Sequence, residues 1–510
     1  MAVHRVPEDM LVPNAHANEE MSTAMRCLCI DEILVVIIEI LLARPARSDV
    51  ISLAGTHRAF RNTSELLLWR TLHSLVPLIK LLENYSPQET EIDGSNGTGG
   101  AAKNRAACPE FFSFPPDQDD VDATHFLHFA GFVKEFTWVN ENFPILTMVA
   151  SKWGIIFPNL RRLDFVEDDS SYFEFLGFLP GSNLEHLSVT TTCPDSEVVL
   201  GVLDVVRRAC GSIQRLEING LPSLSAISAL VQDRPYTREF SGIPLLSRFY
   251  NLTEVDITLD LDDGHLDIPS ETGDFFSRLK TACFRFSLLN ANTRRFLRAI
   301  TSPELTRLTV TSSQRPHFSI IAAHLDPLRH SPQISRARLA FTLTVIADDW
   351  PQEEQDWVDG SALQGVRAPY IETLKLDICW FHWDIAALHD LARAVSEAEV
   401  IDLNTELEFA RHWFLPIKGL QAFAEHCPHL VRLHVTVWAV NCPYTCPTGL
   451  NSASNLEELT VYDSYMGFPE HVAAYLVYLF PKLKHISRTG YYRPIAWDKV
   501  SDLLHKYRRR

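Results

Sequence analysis

The sequence lacks a membrane-spanning run, a disulfide framework and an excess of basic residues. Its best apolar run, Ile33 to Ala43, has eleven residues and contains Glu39, whereas a membrane helix needs about 20. Ten cysteines among 510 residues are too few for a disulfide scaffold. A net charge of −18 is the opposite of the basic stripe that nucleic-acid binding requires. We therefore expect neither a membrane nor a nucleic-acid partner.

The N-terminus also lacks a secretory signal. MAVHRVPEDM carries acids where a signal peptide has an apolar core. We expect an intracellular protein, in the cytoplasm, the nucleus or both. The closing KYRRR is either a nuclear-import fragment or, more commonly, a solvated end.

The usual motifs of catalytic and phosphate-binding sites are missing as well. GSNGTGG, residues 94–100, has glycine where a P-loop has lysine. The sequence contains neither a G-x-S-x-G elbow nor an H-E-x-x-H helix motif. These absences predict that the protein is not an enzyme, has no catalytic residues and needs no cofactor.

One group of potential zinc ligands remains, and it has two readings. Cys442 and Cys446 are four residues apart, not far from Cys427, His426 and His429. A zinc site normally uses two close pairs of ligands. The alternative is that the thiols pack inside the protein as small hydrophobic groups, which is the commoner role of a free cysteine. We favour packing and predict no metal.

The composition indicates an unevenly divided globular chain. Hydrophobic residues make up 46% of the sequence, enough for a large core. Residues 81–125 carry nine acidic and two basic side chains around the stretch EIDGSNGTGGAAKN. Such a stretch buries too little to fold. We divide the chain into a flexible N-terminus (1–24), a helical unit with a connecting helix (25–82), an acidic disordered insert (83–110), a repeat domain (111–500) and a basic tail (501–510).

Short helices are predicted for residues 25–82. Asp31 caps a helix whose apolar residues lie on one face, and Pro45 ends it. Ser48 or Asp49 caps a second helix, and a third begins near Thr63 or Ser64. Three such helices expose more apolar surface than they can bury among themselves, which predicts a partner surface.

From Val133 onward one pattern recurs, apolar-x-x-apolar-x-apolar. Clear copies begin at eight positions: Leu160, Leu184, Ile213, Leu252, Leu305, Ile371, Leu430 and Leu456. Weaker copies begin at five more: Val133, Leu279, Ile334, Val400 and Leu483. Their spacing of 24 to 39 residues matches the leucine-rich repeat. A doubly wound α/β fold also alternates strands and helices, but thirteen short strands are too many and too regular for it.

The predicted fold class is therefore α/β, with three N-terminal helices followed by a leucine-rich-repeat solenoid. Short parallel strands would lie on its concave side and helices outside. By the period of two, the residue between the last two anchors of each strand faces away from the core. These predicted substrate-binding residues are Asp164, Ser188, Glu217, Asp256, Thr309, Lys375, His434 and Thr460. The acids among them, with Asp260, Asp262 and Asp263, predict an acidic N-terminal half.

The aromatic segment CWFHWD, Cys379 to Asp384, also has two readings. It is either an edge hot spot for binding, since tryptophan is enriched at such spots, or a packed repeat loop. We favour the loop slightly.

Residues 27–82 resemble an F-box of the type abundant in mushroom-forming fungi. LCIDEILVVIIEILL resembles the first helix, and SDVISLAGTHRAFRNTSELLLW resembles the rest, although Ile30 and Asp31 stand where many F-boxes have Leu-Pro. The lead-in FFSFPPDQDDVDATHFLHFAGFVKEFTW and the repeats that follow also match that architecture.

The resemblance implies that the F-box docks on the Skp-type adaptor of a cullin-RING (SCF-type) ubiquitin ligase while the repeats hold a protein substrate. A scaffold without a ligase is the alternative. The implied adaptor-binding residues, each equally compatible with internal packing, are Leu28, Ile30, Ile33, Leu34, Ile37, Ile38, Leu53, Phe60, Leu67 and Trp69.

Overall fold

The computed structural model describes sixteen segments of the chain and a few single residues between them. The segments are 31–42, 47–82, 123–138, 154–192, 210–219, 251–259, 276–300, 302–314, 338–346, 358–359, 370–378, 381–403, 415–443, 454–462, 464–489 and 496–508, and the single residues are 149, 152, 206, 208, 320, 324 and 368. The chain forms two compact units, one of residues 1–137 and 141–160 and the other of residues 138–140 and 161–510.

Three helices open the first unit, in the predicted order. They are α1 (Asp31–Leu42), α2 (Arg47–Thr56) and α3 (Arg58–Arg70). Helix α3 begins earlier than Thr63 or Ser64, so Phe60 is helical. The three helices share a small core cluster of five buried side chains: Leu34, Ile38, Val50, Phe60 and Leu67.

The first unit also contains the segment that was assigned to the repeat domain from residue 111. After α3 come strand β1 (Thr71–Leu72), helix α4 (Val76–Ile79), helix α5 (Thr124–Ala130) and strand β2 (Glu135–Trp138). Strand β1 pairs in parallel with β2, Thr71 opposite Glu135. The amide of Lys134 donates to the carbonyl of Arg70 at 2.8 Å. These bonds join the end of α3 and strand β1 to strand β2, and the described residues 123–137 belong to the first unit.

The second unit is built on one parallel sheet whose spatial order equals its chain order. Twelve of its described strands form this sheet: β3 (Arg162–Val166), β4 (His186–Thr190), β5 (Arg215–Asn219), β6 (Glu254–Leu259), β7 (Thr281–Phe286), β8 (Arg307–Ser312), β9 (Leu339–Val345), β11 (Ile371–Ile378), β13 (Val400–Leu403), β15 (Arg432–Val435), β17 (Glu458–Tyr462) and β19 (His485–Thr489). Each strand pairs only with its predecessor and successor, which is the arrangement of a solenoid.

Two small parallel sheets accompany the main one. The first pairs β10 (Val358–Asp359) with β12 (Phe381–His382). The second orders β14 (Leu415–Pro416), β16 (Val437–Ala439) and β18 (Tyr465–Met466) side by side. Strand β16 begins two residues after β15 ends, so the chain bends from the main sheet directly into the small one.

The buried anchors follow the predicted pattern, with two shifts. Leu163 and Phe165 of β3 are fully buried, and the strands up to β8 continue this alternation. Register places Phe341 beside Leu308, so the anchor predicted at Ile334 falls at Arg338; Ile334 itself lies outside the described residues. Register likewise places Ile401 beside Leu374, which moves the anchor from Val400 to the buried Ala398. The leucine-rich pattern with this register makes the second unit a leucine-rich-repeat solenoid.

Helices of the second unit connect these strands. Those described are a 3-10 helix (Ser170–Gly177), α6 (Ala291–Arg298), α7 (Ile385–Ala394), a 3-10 turn (Ile417–Gly419), α8 (Leu420–His426), α9 (Pro469–Leu479) and α10 (Ala496–Arg508). Asn290 caps α6 by accepting bonds from the amides of Asn292 and Thr293. Helix α9 has proline at its first position, where the missing amide donor costs no hydrogen bond.

Residues 496–508 form a helix, whereas the sequence predicted a basic tail from residue 501. Residues 501–508 continue α10, so the tail predicted for 501–510 is helical over most of its length. Trp497, Val500 and Leu504 are buried, and the indole Nε1 of Trp497 donates to the carbonyl of Ser464 at 2.9 Å. Helix α10 was not predicted, because only the basic residues KYRRR were considered and not the apolar residues before them. Among the described helices, none is long and apolar enough to cross a membrane.

Several predictions lie outside the described residues. They are the flexible N-terminus (1–24), the acidic insert (83–110), the acidic loop residues Asp260, Asp262 and Asp263, and the sites Leu28, Ile30, Cys379 and Cys446.

Candidate functional site

One continuous row of side chains crosses the outward face of the main sheet; we call it the ladder face. The strand register places its members side by side: Asp164, Ser188, Glu217, Asp256, Cys283, Thr309, Thr342, Lys375, Asp402, His434, Thr460 and Ser487. All eight predicted substrate-binding residues stand in this row. Most are half-buried, whereas Thr460 is buried and donates to or accepts from Ser487 at 2.7 Å.

Four members of the ladder face were missed. Cys283, Thr342, Asp402 and Ser487 stand on strands with weak or shifted copies of the repeat. For β7 and β19 the repeat pattern was present in the sequence but weak. For β9 and β13 the anchors had been placed at Ile334 and Val400, so the middle residue could not be read correctly.

The predicted acidic half of this face needs a correction. Arg162 Nε lies 3.0 Å from an Asp164 carboxylate oxygen, and Arg215 Nη2 lies 2.6 Å from Glu217. Arg285 holds Asp256 with two parallel bonds, at 2.5 and 2.8 Å. Because each of these three carboxylates has an arginine partner, the described part of the N-terminal half carries both charges, and the loop acids Asp260, Asp262 and Asp263 lie outside it.

The arginines also connect neighbouring strands. Arg215 of β5 reaches Glu254 of β6 at 3.2 Å. Nη1 of Arg285, on β7, donates to Asn219 Oδ1 on β5 at 2.9 Å, passing Asp256 on β6. Arg338 bonds Glu372 and Glu399 of the next two repeats at 3.1 and 3.0 Å. The polar surface therefore stabilises the same strand order as the core.

Two titratable groups on this face have shifted pKa values. Burial and then the charge of Arg162 lower the pKa of His186, which lies 3.5 Å from Glu217. Burial and then the charge of Asp256 raise the pKa of the Cys283 thiol to about 11. A thiol with such a pKa is a poor nucleophile, so Cys283 offers binding contacts and no reactive thiolate.

A second candidate surface lies on α1 of the first unit. Ile33, Val36 and Ile40 follow each other at helical spacing and are 42%, 54% and 53% exposed. Leu34 and Ile38 occupy the opposite, buried side. We call the exposed row the α1 stripe; a helix that is apolar on both sides needs a second covering surface.

The predicted adaptor-binding residues divide between core and surface. Four of them, Leu34, Ile38, Phe60 and Leu67, form the unit's core, and Leu53 packs partly against it. Ile33 is exposed and Ile37 is half-buried. Trp69 packs against Phe129 of α5 with ring centroids 4.8 Å apart and the rings tilted by 30°, a contact with the lead-in segment. Val36 and Ile40 were missed because the sequence was read for a single apolar face.

A third surface consists of exposed aromatic residues beside the small sheet β14–β16–β18. Trp438 and Tyr465 have ring centroids 5.5 Å apart and are 39% and 47% exposed. Val440 and Phe468 follow them in the chain and are also exposed. The sequence drew attention to CWFHWD instead. There Asp384 caps α7 by accepting from the Ala387 amide at 2.6 Å, and the side chains of residues 379–382, on which the two readings differ, lie outside the described ones.

Two of the described cysteines, Cys210 and Cys427, pack inside the repeats. Cys427 is buried and its thiol lies 3.4 Å from the carbonyl of Ala392, and Cys210 lies 3.2 Å from the carbonyl of Gly181. Burial raises the pKa of Cys427 to about 12. The thiols therefore act as small core groups, as the packing alternative predicted.

No protein-family model matches the sequence, and no curated protein matches it. Among solved structures, a leucine-rich-repeat protein of Leptospira interrogans aligns with a TM-score of 0.25 and 11% identity, covering 71% of this chain and 92% of that one. The TLR13–ssRNA13 complex aligns with a TM-score of 0.24 and 10% identity, covering 71% of this chain and 62% of that one. The leucine-rich character of the solenoid rests on its own strand register and buried anchors.

Proposed function

We propose that the protein is the substrate-recognition subunit of an SCF-type (cullin-RING) E3 ubiquitin ligase. Helices α1–α3 dock on a Skp-type adaptor, and the ladder face of the solenoid binds a protein substrate. The chain itself carries out no chemical step. The observation that supports this proposal best is the α1 stripe, an apolar row that the unit's own core leaves uncovered.

The α1 stripe suits a docking role because its exposed apolar side chains form one continuous row. Single exposed apolar residues are ordinary on any surface. Here three branched side chains stand at positions i, i+3 and i+7 of one helix and cover its outer side. Contact with an apolar partner would remove this surface from water, at about 25 cal/mol for each Å².

The ladder face suits substrate binding because it offers many partly exposed polar groups at fixed spacing. Neighbouring strands lie about 4.8 Å apart, so the side chains form a regular array. Paired arginines and carboxylates select a partner by the pattern of its charges more than by its net charge. The substrate surface should therefore carry both signs.

The docking proposal is tested with the full-length chain and a purified Skp-type adaptor. Val36→Asp and Ile40→Asp each place a carboxylate in the α1 stripe without touching the buried side of the helix. Burying an unpaired charge costs several kcal/mol. We expect each variant to weaken adaptor binding by more than about 100-fold in isothermal titration calorimetry.

Leu127→Asp is the matched control, since Leu127 is a 38% exposed leucine on α5 of the same unit. It should bind the adaptor as the wild type does. Circular dichroism must show that all variants are folded. If Val36→Asp and Ile40→Asp retain full affinity, the α1 stripe is not the docking surface.

The second candidate function is a protein-interaction scaffold without a ligase. It is favoured by the fact that the ladder face and its ion pairs lie entirely within the second unit. Partner binding by the solenoid thus does not require helices α1–α3. Failure of the wild-type chain to bind any Skp-type adaptor, at concentrations up to about 100 µM, would leave this function in place of the first.

A further inference from the structure

Two consecutive helices of the solenoid bring two imidazoles and a carboxylate together. His389 stands on α7, and Glu425 and His426 are the last two residues of α8. Nδ1 of His389 lies 3.1 Å from Nε2 of His426. One Glu425 oxygen, Oε2, lies 3.6 Å from the first nitrogen and 3.8 Å from the second. Each residue thus offers one ligand atom to the same small space.

The three separations fit a tetrahedral metal centre. Zinc binds imidazole nitrogen and carboxylate oxygen at about 2.0–2.2 Å, and the ligand atoms of such a tetrahedron are about 3.4 Å apart. The observed values of 3.1, 3.6 and 3.8 Å lie on both sides of this figure. A cation between the three atoms would need only small side-chain adjustments.

A hydrogen bond between the imidazoles is the simpler explanation of the short contact, and it leaves the carboxylate unexplained. Nitrogen–oxygen hydrogen bonds have lengths of about 2.7–3.2 Å. Both distances from Glu425 Oε2 exceed that range. The oxygen is thus too far away to bond either ring directly, but close enough to share a cation with both.

The carboxylate is also held in place by a neighbour. Nε2 of Gln421 donates to the other Glu425 oxygen, Oε1, at 2.6 Å, one turn earlier on α8. Metal-binding carboxylates are commonly oriented by such a second hydrogen bond. The nearby cation Arg393 is bonded to Asp390 at 2.6 Å, which offsets its charge.

Access and charge are suitable as well. The three side chains remain 20% (His389), 30% (Glu425) and 27% (His426) exposed, so an ion can enter from solvent and keep a water ligand. Two imidazoles and one carboxylate form a donor set that zinc commonly takes. The hard cations calcium and magnesium prefer oxygen ligands.

We propose that His389, Glu425 and His426 bind one Zn²⁺ ion, with water as the fourth ligand, and that the ion clamps two successive repeats together. His389 is 36 residues before Glu425, so the ion joins elements that are distant in sequence and adjacent in the solenoid. This inference is independent of the adaptor-binding proposal.

The test uses the full-length chain, freed of metal by a chelator and titrated with ZnCl₂ against a competing zinc dye. His389→Gln and Glu425→Gln each remove one ligand and keep the side-chain size similar. We expect either change to weaken zinc binding by at least about 100-fold, because even a residue that only orients a ligand contributes 10–100-fold. Gln421→Leu should therefore weaken it by about 10–100-fold.

His429→Gln is the matched control. His429 is three residues beyond the cluster and lies 3.5 Å from Glu397 instead. This variant should bind zinc as the wild type does and show the same zinc-dependent rise in melting temperature. His389→Gln and Glu425→Gln should lose that rise.

A spectroscopic measurement covers the case in which a variant folds poorly. The wild-type chain loaded with Co²⁺ should show the visible absorption of a tetrahedral site, and one equivalent of Zn²⁺ should abolish it. Equal zinc affinity and equal thermal stabilisation in wild type, His389→Gln and Glu425→Gln would overturn the proposal. Absence of the Co²⁺ absorption in the wild type would do the same, and the contact would then be only a hydrogen bond between two histidines.

Discussion

At the residue scale, His324 is a buried imidazole with both ring nitrogens engaged. Nδ1 lies 2.6 Å from the carbonyl of Ile320, which can only accept, so Nδ1 carries the proton. Nε2 lies 2.5 Å from Oγ1 of Thr293, a hydroxyl that also lies 2.8 Å from the carbonyl of Asn290. Burial is the main cause that lowers the pKa of His324 to about 4, and the charge of Arg294 adds to it.

This neutral histidine predicts a loss of stability in mild acid. The folded-state pKa lies below the ordinary 6.5, so the unfolded chain takes up the proton first as the pH falls. The contribution is complete above about pH 6.5 and is lost between about pH 6.5 and 4. The free energy of unfolding should fall by roughly 3 kcal/mol over this pH range because of His324. Urea unfolding at pH 7 and pH 4.5 should show a smaller difference for His324→Gln than for the wild type, and equal differences would contradict the assignment.

The Arg285–Asp256 pair predicts a modest stabilisation at the surface. Both side chains are partly exposed, 41% and 31%, so solvent screens their attraction. Arg285→Ala should lower the free energy of unfolding by about 1 kcal/mol, which urea denaturation can measure. The charge-swapped variant Arg285→Asp with Asp256→Arg should recover part of the loss. No recovery would mean that the arginine acts through Asn219 and not through Asp256.

The residues of the ladder face also show how far the sequence could be read. Alternation along a strand correctly placed all eight predicted residues in one row. Their arginine partners were equally visible, since NLRRLDF and SIQRLEI put an arginine two residues before the acid and hence on the same face. Only the residue between the last two apolar anchors of each strand was considered. The cluster of His389 with Glu425 was not readable, because it depends on the packing of α7 on α8.

At the scale of elements, the closing helix α10 acts as a cover for the last repeat. In β19, Arg488 occupies the place where β17 has the buried Val461, and it bonds Asp498 of α10 at 2.9 Å. Helix α10 packs on α9 and places Trp497 against the chain at Ser464. In β19 an ion pair with helix α10 thus takes the place of a buried apolar anchor.

Removing the anchor of this cover should destabilise the solenoid. Trp497 is 1% exposed, and truncating a buried tryptophan to alanine costs about 3–5 kcal/mol. We expect Trp497→Ala to lower the melting temperature clearly in calorimetry. Lys499→Ala, which breaks only an exposed ion pair with Glu470, is the control and should change the free energy of unfolding by less than about 1 kcal/mol. Similar effects of the two changes would argue against a covering role.

Helix and strand positions were predictable to different degrees. The apolar face and the proline beyond its end marked α1 well. Helix α3 starts five residues before the predicted position, because Arg58 to Asn62 carry no start signal. The anchors at Arg338 and Ala398 were missed because one is charged and the other is a small residue, and only the strand register reveals them.

At the scale of the whole molecule, the corrected anchors make the solenoid more regular than the sequence suggested. The predicted intervals of 29, 37, 29 and 30 residues between Leu305 and Leu430 become 33, 33, 27 and 32.

Because each described strand of the main sheet bonds only to its two neighbours in that sheet, whose order follows the chain, successive repeats should unfold one after another under force. Pulled from its two ends in an optical trap, the solenoid should yield from an end, one repeat at a time, since the nearest-neighbour contacts of each repeat open together. Each rupture should release 24 to 39 residues of chain, or about 80 to 140 Å of contour length. A bound Zn²⁺ ion between α7 and α8 would join two of those steps into one longer step, and added chelator would separate them again.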